Sequence, residues 1–344
     1  MNISAFIHND LTTPTTLSEI KRVHDWVSTK DFFGVYAYAT QSGVSSFELA
    51  LGRNFWTHTP SRWLFGLDYG RTQPQALRFF CEQNNAEVRV FDGSWVVDQR
   101  GFIPRRDFHA KMSFLLNPSA DRYGMIVGSG NFSSNGLRRS VEAGASICAE
   151  DRIEYSGNLE ASLNLANSLW DNATPADCIL DVYEDRWNAS HSGAIAENQS
   201  HDGVIHGPED VFWIEAGYVT KNRGSNRPGN QIDFPRGMGR YFGFNPPEDM
   251  PPNSVIGEIT FETPVGAPVS YNLRLGNNMM EKISLPIPET HGFDIYDGKY
   301  LIFQRSGSRF VFRALEADDF ETVFGDRLSE VKIMGSGRRY GHIV

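Results

Sequence analysis

The sequence predicts two folded units of different class. The first is an α/β domain, a mixed sheet flanked by helices, over residues 1–189. The second is an all-β pseudobarrel over 210–344. Three observations carry this. Segments of period two alternate with segments of helical period in the first half, as in layered α/β domains. Residues 190–209 are rich in Ser, Gly, Asn and His without apolar periodicity and read as a linker, with His191 and His201 among its histidines read as solvated. Beyond them come short strand-like runs separated by turn residues, with little helix. A chain of 344 residues can bury a core in each unit.

Taken in order, residues 17–28 form an amphipathic helix after Thr-rich capping signals. Residues 32–39 read as a strand, 42–51 as a short helix, 63–68 as a strand, 73–83 as a helix and 86–91 as a strand. The turn at 68–72 follows a strand end and reads as an ordinary connection between strand and helix. In residues 107–116 Phe108, Ala110, Met112 and Phe114 alternate with His109, Lys111 and Ser113, so His109 and Lys111 share one face of a strand. A strand over 123–127 runs into Gly128-Ser129-Gly130-Asn131, after which Asn131 or Ser133 caps a short helix. Residues 143–148 form another strand, 153–170 a long helix and 178–187 a further one. In the second half the strands are 211–219, 254–262, 269–275, 282–286, 299–304 and 309–314, and residues 221–244 form a glycine-rich basic loop.

The net charge of −10 argues against a general polyanion binder, but its distribution is uneven. Residues 217–244 hold Lys221, Arg223, Arg227, Arg236 and Arg240 against the single acid Asp233, while 150–160 and 316–321 are acidic. Arg and Asn suit guanine and adenine edges and Lys suits phosphate, so Lys221, Arg223, Asn226, Arg227 and Arg236 form a candidate DNA-contacting arm, with Arg274, Asn277 and Asn278 as a second. The three cysteines are far apart and follow no metal pattern, which points to buried free thiols in a reducing compartment. There is no targeting segment and no run of membrane-spanning length, so a cytoplasmic chain with no membrane partner is expected.

The chemistry concentrates between His109 and Glu142. An imidazole can attack phosphorus or move a proton near neutral pH. Lys111, Ser129 and Asn131 can neutralise phosphate oxygens, and a carboxylate such as Glu142 can fix a histidine tautomer. The glycine turn lacks the Gly-Lys-Ser/Thr ending of a nucleotide-binding P-loop.

His109-Ala-Lys111 followed by Gly128-Ser129-Gly130-Asn131 resembles the HxK and GSxN signature of the phospholipase D superfamily. That signature has an aspartate five residues after the lysine, where this chain has Leu116. The loss, with Glu142 at its spacing after Asn131, resembles the metal-independent restriction endonucleases of the BfiI and NgoAVII type. The second half is similar in layout to their plant B3-like DNA-binding domain, a seven-stranded open barrel. The resemblance implies a sequence-specific restriction endonuclease that hydrolyses double-stranded DNA through a phosphohistidine on His109, without metal or other cofactor. Catalysis of this kind uses two HxK motifs and this chain has one, so the resemblance implies a homodimer with a shared site. It also implies a cognate methyltransferase, and any motor would be a separate ATPase or translocase subunit. Two alternatives are a phosphodiesterase on a non-DNA substrate and a non-catalytic DNA-binding protein.

Overall fold

The computed structural model describes residues 1–8, 13–191, 211–217, 219–224, 227–247, 249–334 and 338–344. Compact packing divides the chain into Met1–His191 and Ser192–Val344. From residue 192 the stretch read as a linker lies outside the described residues, as do His201 and Asn226.

The first unit is built on strands β1 (Asn2–His8), β2 (Asp31–Tyr36), β3 (Ser61–Phe65), β4 (Ala86–Val90), β5 (Lys111–Asn117), β6 (Arg122–Gly128), β7 (Glu142–Ala149) and β8 (Thr174–Pro175). They form one mixed sheet in the order β1-β7-β6-β5-β2-β3-β4-β8. The β2–β3 and β3–β4 pairs are parallel and the remaining pairs antiparallel. Its helices are α1 (Thr16–Val27), α2 (Gln41–Leu51), α3 (Asn54–His58), α4 (Pro74–Cys81), α5 (Gly93–Val96), α6 (Arg152–Asn158), α7 (Glu160–Asp171) and α8 (Leu180–His191).

The alternation of strand side chains gives the sheet two apolar faces. Phe32, Leu115 and Ile126 point to one side and meet Ile20 and Val23 of α1 and Phe47 of α2. Phe33, Phe114 and Met125 point to the other and meet Leu163, Ala166 and Trp170 of α7. α1 starts where Thr15 and Ser18 satisfy each other's backbone N–H groups in a capping box, worth about 1 kcal/mol.

The long helix expected over 153–170 is two helices, α6 and α7, which meet at Leu159 just after Gly157. The strand expected from 107 begins at Lys111, with His109 in the extended segment before it. The short helix expected after Asn131 is a single π turn, Asn135–Arg139. Ser133 Oγ accepts the Gly136 N–H there at 3.0 Å. Of the three thiols expected to be buried, Cys148 is buried, Cys81 half-buried and Cys178 exposed. Burial pushes the Cys81 thiol up to about 11.

The second unit is a curled half-barrel. Its strands are β9 (Val211–Glu215), β10 (Gln231–Phe234), β11 (Val255–Glu262), β12 (Val269–Leu275), β13 (Glu281–Ser284), β14 (Tyr300–Ser306), β15 (Arg309–Leu315), β16 (Leu328–Ile333) and β17 (Arg339–Ile343). Their order is β10-β13-β12-β11-β15-β14-β9-β17-β16, nine strands among the described residues where seven were expected. The inner face packs Phe212, Phe234, Phe261, Leu273, Phe303 and Phe312. The other face carries Trp213 and Tyr300 against Phe320 of α9 (Ala317–Phe324), the Tyr300 and Phe320 rings stacked at 4.2 Å. The basic loop expected over 221–244 contains β10, and the acidic run 316–321 falls largely in α9.

Candidate functional site

Several strand ends of the first unit bring functional side chains to one end of its sheet. Tyr36 at the end of β2 pairs in register with Lys111 at the start of β5. Gly128 at the end of β6 faces Gly144 of β7, and His8 at the end of β1 faces Glu142 at the start of β7.

Lys111 is half-buried and its ammonium donates to the His109 carbonyl at 2.8 Å. Burial lowers its pKa; the Glu142 charge opposes this, and the nearby Arg71 adds to it. His109 is exposed, and its ring makes no hydrogen bond among the described residues. Its position is set from behind. The Phe108 N–H donates to Asp68 Oδ2 at 2.7 Å, and the Phe108 ring stacks on Phe91 at 4.7 Å.

Ser129 is exposed, with its hydroxyl donating to Glu142 Oε2 and accepting the Ala143 N–H at 3.0 Å. A serine that donates to a carboxylate is held as a hydrogen-bonding group, and among the described residues its hydroxyl makes no hydrogen bond to an imidazole. The Asn131 Oδ1 atom is buried without a hydrogen-bond partner among the described residues. Glu142 therefore joins Ser129 within one chain, and the imidazole nearest it in register is His8 rather than His109.

His8 is fully buried. Desolvation lowers its pKa, opposed by the Glu142 charge and by the Arg138 backbone carbonyl.

The loop at 128–132 is shaped by close approach. A Cβ on Gly130 would sit 2.1 Å from the Gly136 carbonyl oxygen, and one on Gly136 would sit 2.5 Å from the Asn131 backbone. Only glycine fits at either place. The next residue, Phe132, is fully buried with its ring 5.2 Å from Tyr36 and from Trp63, 5.4 Å from Phe47 and 5.6 Å from Phe80. The Phe132 carbonyl accepts the Thr40 N–H at 3.0 Å.

The turn at 68–72, read from sequence as an ordinary connection, belongs to this region. Asp68 is buried and holds Phe108, and Arg71 lies near enough to Lys111 to act on its charge. Burial raises the Asp68 carboxyl, with the Phe108 N–H opposing, Asp107 reinforcing and His109 opposing. Sequence reasoning missed both Arg71 and His8. The strand-end position of the turn pointed only to a general location for Arg71, and no pattern in the sequence around His8 marked it.

In the second unit the candidate DNA-contacting residues fall into separate groups. Arg223 is committed to Glu289, its guanidinium donating to both carboxylate oxygens, one of them at 2.8 Å. Lys221 is half-buried and Arg227 exposed on the same loop, which leads into the start of β10. At the other end of β10 lie the exposed Arg236 and Asn278, the latter donating to Asp233 Oδ2 at 3.2 Å. The exposed Arg274 pairs in register with Lys282, which pairs with Asp233 in turn, and Asn277 accepts from Asn253 at 2.7 Å.

Among the described residues no group of three or more His, Cys, Asp and Glu could hold a metal ion, and no helix is long and apolar enough to cross a membrane.

Fold and site together define a layered α/β domain with a His-Lys-Ser-Asn-Glu set at one end of its sheet. No protein-family model and no curated protein matches the chain. Among solved structures it is similar to NucT from Helicobacter pylori, at 10% identity and a TM-score of 0.35 over 51% of this chain and 98% of that one. It is similar to the phospholipase D family member Nuc from Salmonella typhimurium, at 12% identity and a TM-score of 0.36 over 51% of this chain and 97% of that one. A third is the phosphatidylserine synthase of Haemophilus influenzae, at 13% identity and a TM-score of 0.34 over 47% and 38%.

Proposed function

We propose that this chain is a nuclease that hydrolyses DNA phosphodiester bonds through a covalent phosphohistidine, without a metal. The observation that carries the reading is the convergence of exposed His109, half-buried Lys111, Ser129, Asn131 and Glu142 at one sheet end, in the motif order noted above.

In this mechanism a ring nitrogen of His109 attacks phosphorus in line. A P–N bond forms and the P–O bond to the leaving strand breaks. A second histidine protonates the leaving oxygen, then takes a proton from the water that hydrolyses the phosphohistidine. The chain has one HxK motif, so that histidine is the partner subunit's His109 in a twofold dimer. Lys111, Ser129 and Asn131 of both subunits hold the phosphate oxygens, the electrostatic part that metal ions play elsewhere. Glu142 keeps Ser129 in place and sets the local charge felt by Lys111.

The second unit would supply sequence recognition as a B3-like domain, through Arg227, Arg236, Arg274, Asn277 and Asn278. The chain would act as a restriction enzyme alongside a cognate methyltransferase.

Purified chain is incubated with a random-sequence duplex pool in excess chelator, and the product ends are sequenced. Cleavage at one recurring sequence is expected. Loss of cleavage on chelation refutes the metal-free mechanism, and random ends refute specificity. Gel filtration should give twice the chain mass. His109→Ala should abolish cleavage while retaining DNA binding.

A further inference from the structure

Beside the site stands an aromatic side chain that the mechanism does not use. Tyr69 has φ 56 and ψ 22, a left-handed conformation that a bulky residue rarely occupies, and half of its surface is exposed. The strain is held in place from several sides. Asp68 accepts the Phe108 N–H at 2.7 Å, the Gly70 carbonyl accepts Trp187 Nε1–H at 2.7 Å, and the Thr72 carbonyl accepts the Tyr183 hydroxyl at 2.5 Å. The Thr72 hydroxyl donates to the Gly66 carbonyl at 2.6 Å and accepts the Ala39 N–H at 3.2 Å. A fixed turn that spends free energy to aim a ring at solvent is the kind of outlier that marks function.

The surroundings say which function. The Tyr69 hydroxyl donates to Asp107, two residues before His109, at 3.3 Å. The Arg71 guanidinium lies 6.0 Å from the Tyr69 ring and also acts on Lys111. Arg71 and Arg106, the neighbour of Asp107, are exposed and make no ion pair among the described residues. A flat exposed ring with one unpaired guanidinium 6.0 Å away and a second, Arg106, on the segment its hydroxyl contacts matches an unstacked base with phosphates nearby.

We propose that Tyr69 is a stacking platform for a base next to the scissile phosphate, so that the site takes a DNA strand unpaired at that point. Arg71 and Arg106 hold the flanking phosphates. This rests on the nuclease reading and specifies the substrate of the same site.

The test compares cleavage of three substrates: a single-stranded oligonucleotide pool, its stable abasic analogue, and the duplex pool. Tyr69→Ala should lower kcat/KM on the base-bearing single strand by roughly 5- to 150-fold, the range for one lost base–aromatic stack. Tyr69→Phe should stay near the original chain, and on the abasic analogue Tyr69→Ala should match it. Tyr69→Gly removes ring and strain together, so it should lose the same factor without lowering the melting temperature.

Equal losses on base-bearing and abasic strands would make Tyr69 a support for the turn and overturn the inference. No loss on either overturns it too. A chain that cuts the duplex pool but not the single strand overturns the inference and leaves the nuclease reading standing. A chain that cuts none of the three ends both.

Discussion

Replacing Lys111 by Met keeps the stem of the side chain and removes the ammonium. Among the described residues that ammonium makes one hydrogen bond, to the His109 carbonyl at 2.8 Å, so the fold should lose only about 1 kcal/mol. The chemistry should lose far more. A unit charge about 4 Å from a phosphate oxygen, at an effective dielectric of about 20 for a half-buried group, is worth ~4 kcal/mol, or close to a thousandfold in rate. A site shared across a twofold axis holds two such lysines, so a dimer with both replaced should fall by about a millionfold, below detection. A mixed dimer, isolated by a tag on one chain only, should retain about a thousandth of the original rate. The assay is single-turnover cleavage by the three purified dimers. If the mixed dimer instead keeps half the original activity, each chain carries a complete site of its own, and the shared-centre argument is wrong.

Gly130→Ala places a methyl group 2.1 Å from the Gly136 carbonyl oxygen, so backbone must move; a lower melting temperature, by about 1–3 kcal/mol of stability, and loss of cleavage should appear together. Asp68→Asn keeps an acceptor for the Phe108 N–H but carries no charge. Burial raises the Asp68 carboxyl, so the folded state binds its proton more tightly than the unfolded one and stability is lost as pH rises from the ordinary carboxylate range through the folded pKa. The melting temperature of Asp68→Asn should therefore gain on the original chain as pH rises above about 4, and a gap that narrows instead refutes the assignment. Arg274→Ala should weaken DNA binding and reduce the slope of log K against log salt by about one for a phosphate contact. Arg223→Ala, which breaks the Glu289 pair, should show its main effect in thermal unfolding instead.

Elements with two buried faces or a clear apolar stripe could be read from sequence: β2, β5, β12, α1 and α4 all lie close to where patterning placed them. Those whose burial depends on few residues could not. β1 turns only Phe6 and His8 inward and leaves Ile3 and Ile7 exposed, so its alternation carries no usable signal. β10 hides Ile232 and Phe234 inside a glycine-rich basic tract, and α9 hides Phe320 in an acidic one.

In the site, motif spacing singled out His109, Lys111, Ser129, Asn131 and Glu142, because these follow one another on three neighbouring strands, β5, β6 and β7, and the segments that adjoin their ends. His8 and Arg71 reach the same place only through cross-strand register and a long-range turn contact, and no local pattern encodes either.

Phe132, directly after Asn131, is clasped by the rings of Tyr36, Phe47, Trp63 and Phe80. The segment that would cradle an anion is thereby tied to a fully buried aromatic cluster of its unit, and it cannot loosen alone. Its amide protons should exchange only as slowly as the whole unit opens, and Trp63 emission should report damage there at once. An anion arriving at such a segment meets donors already fixed in place, so little ordering entropy is lost on contact.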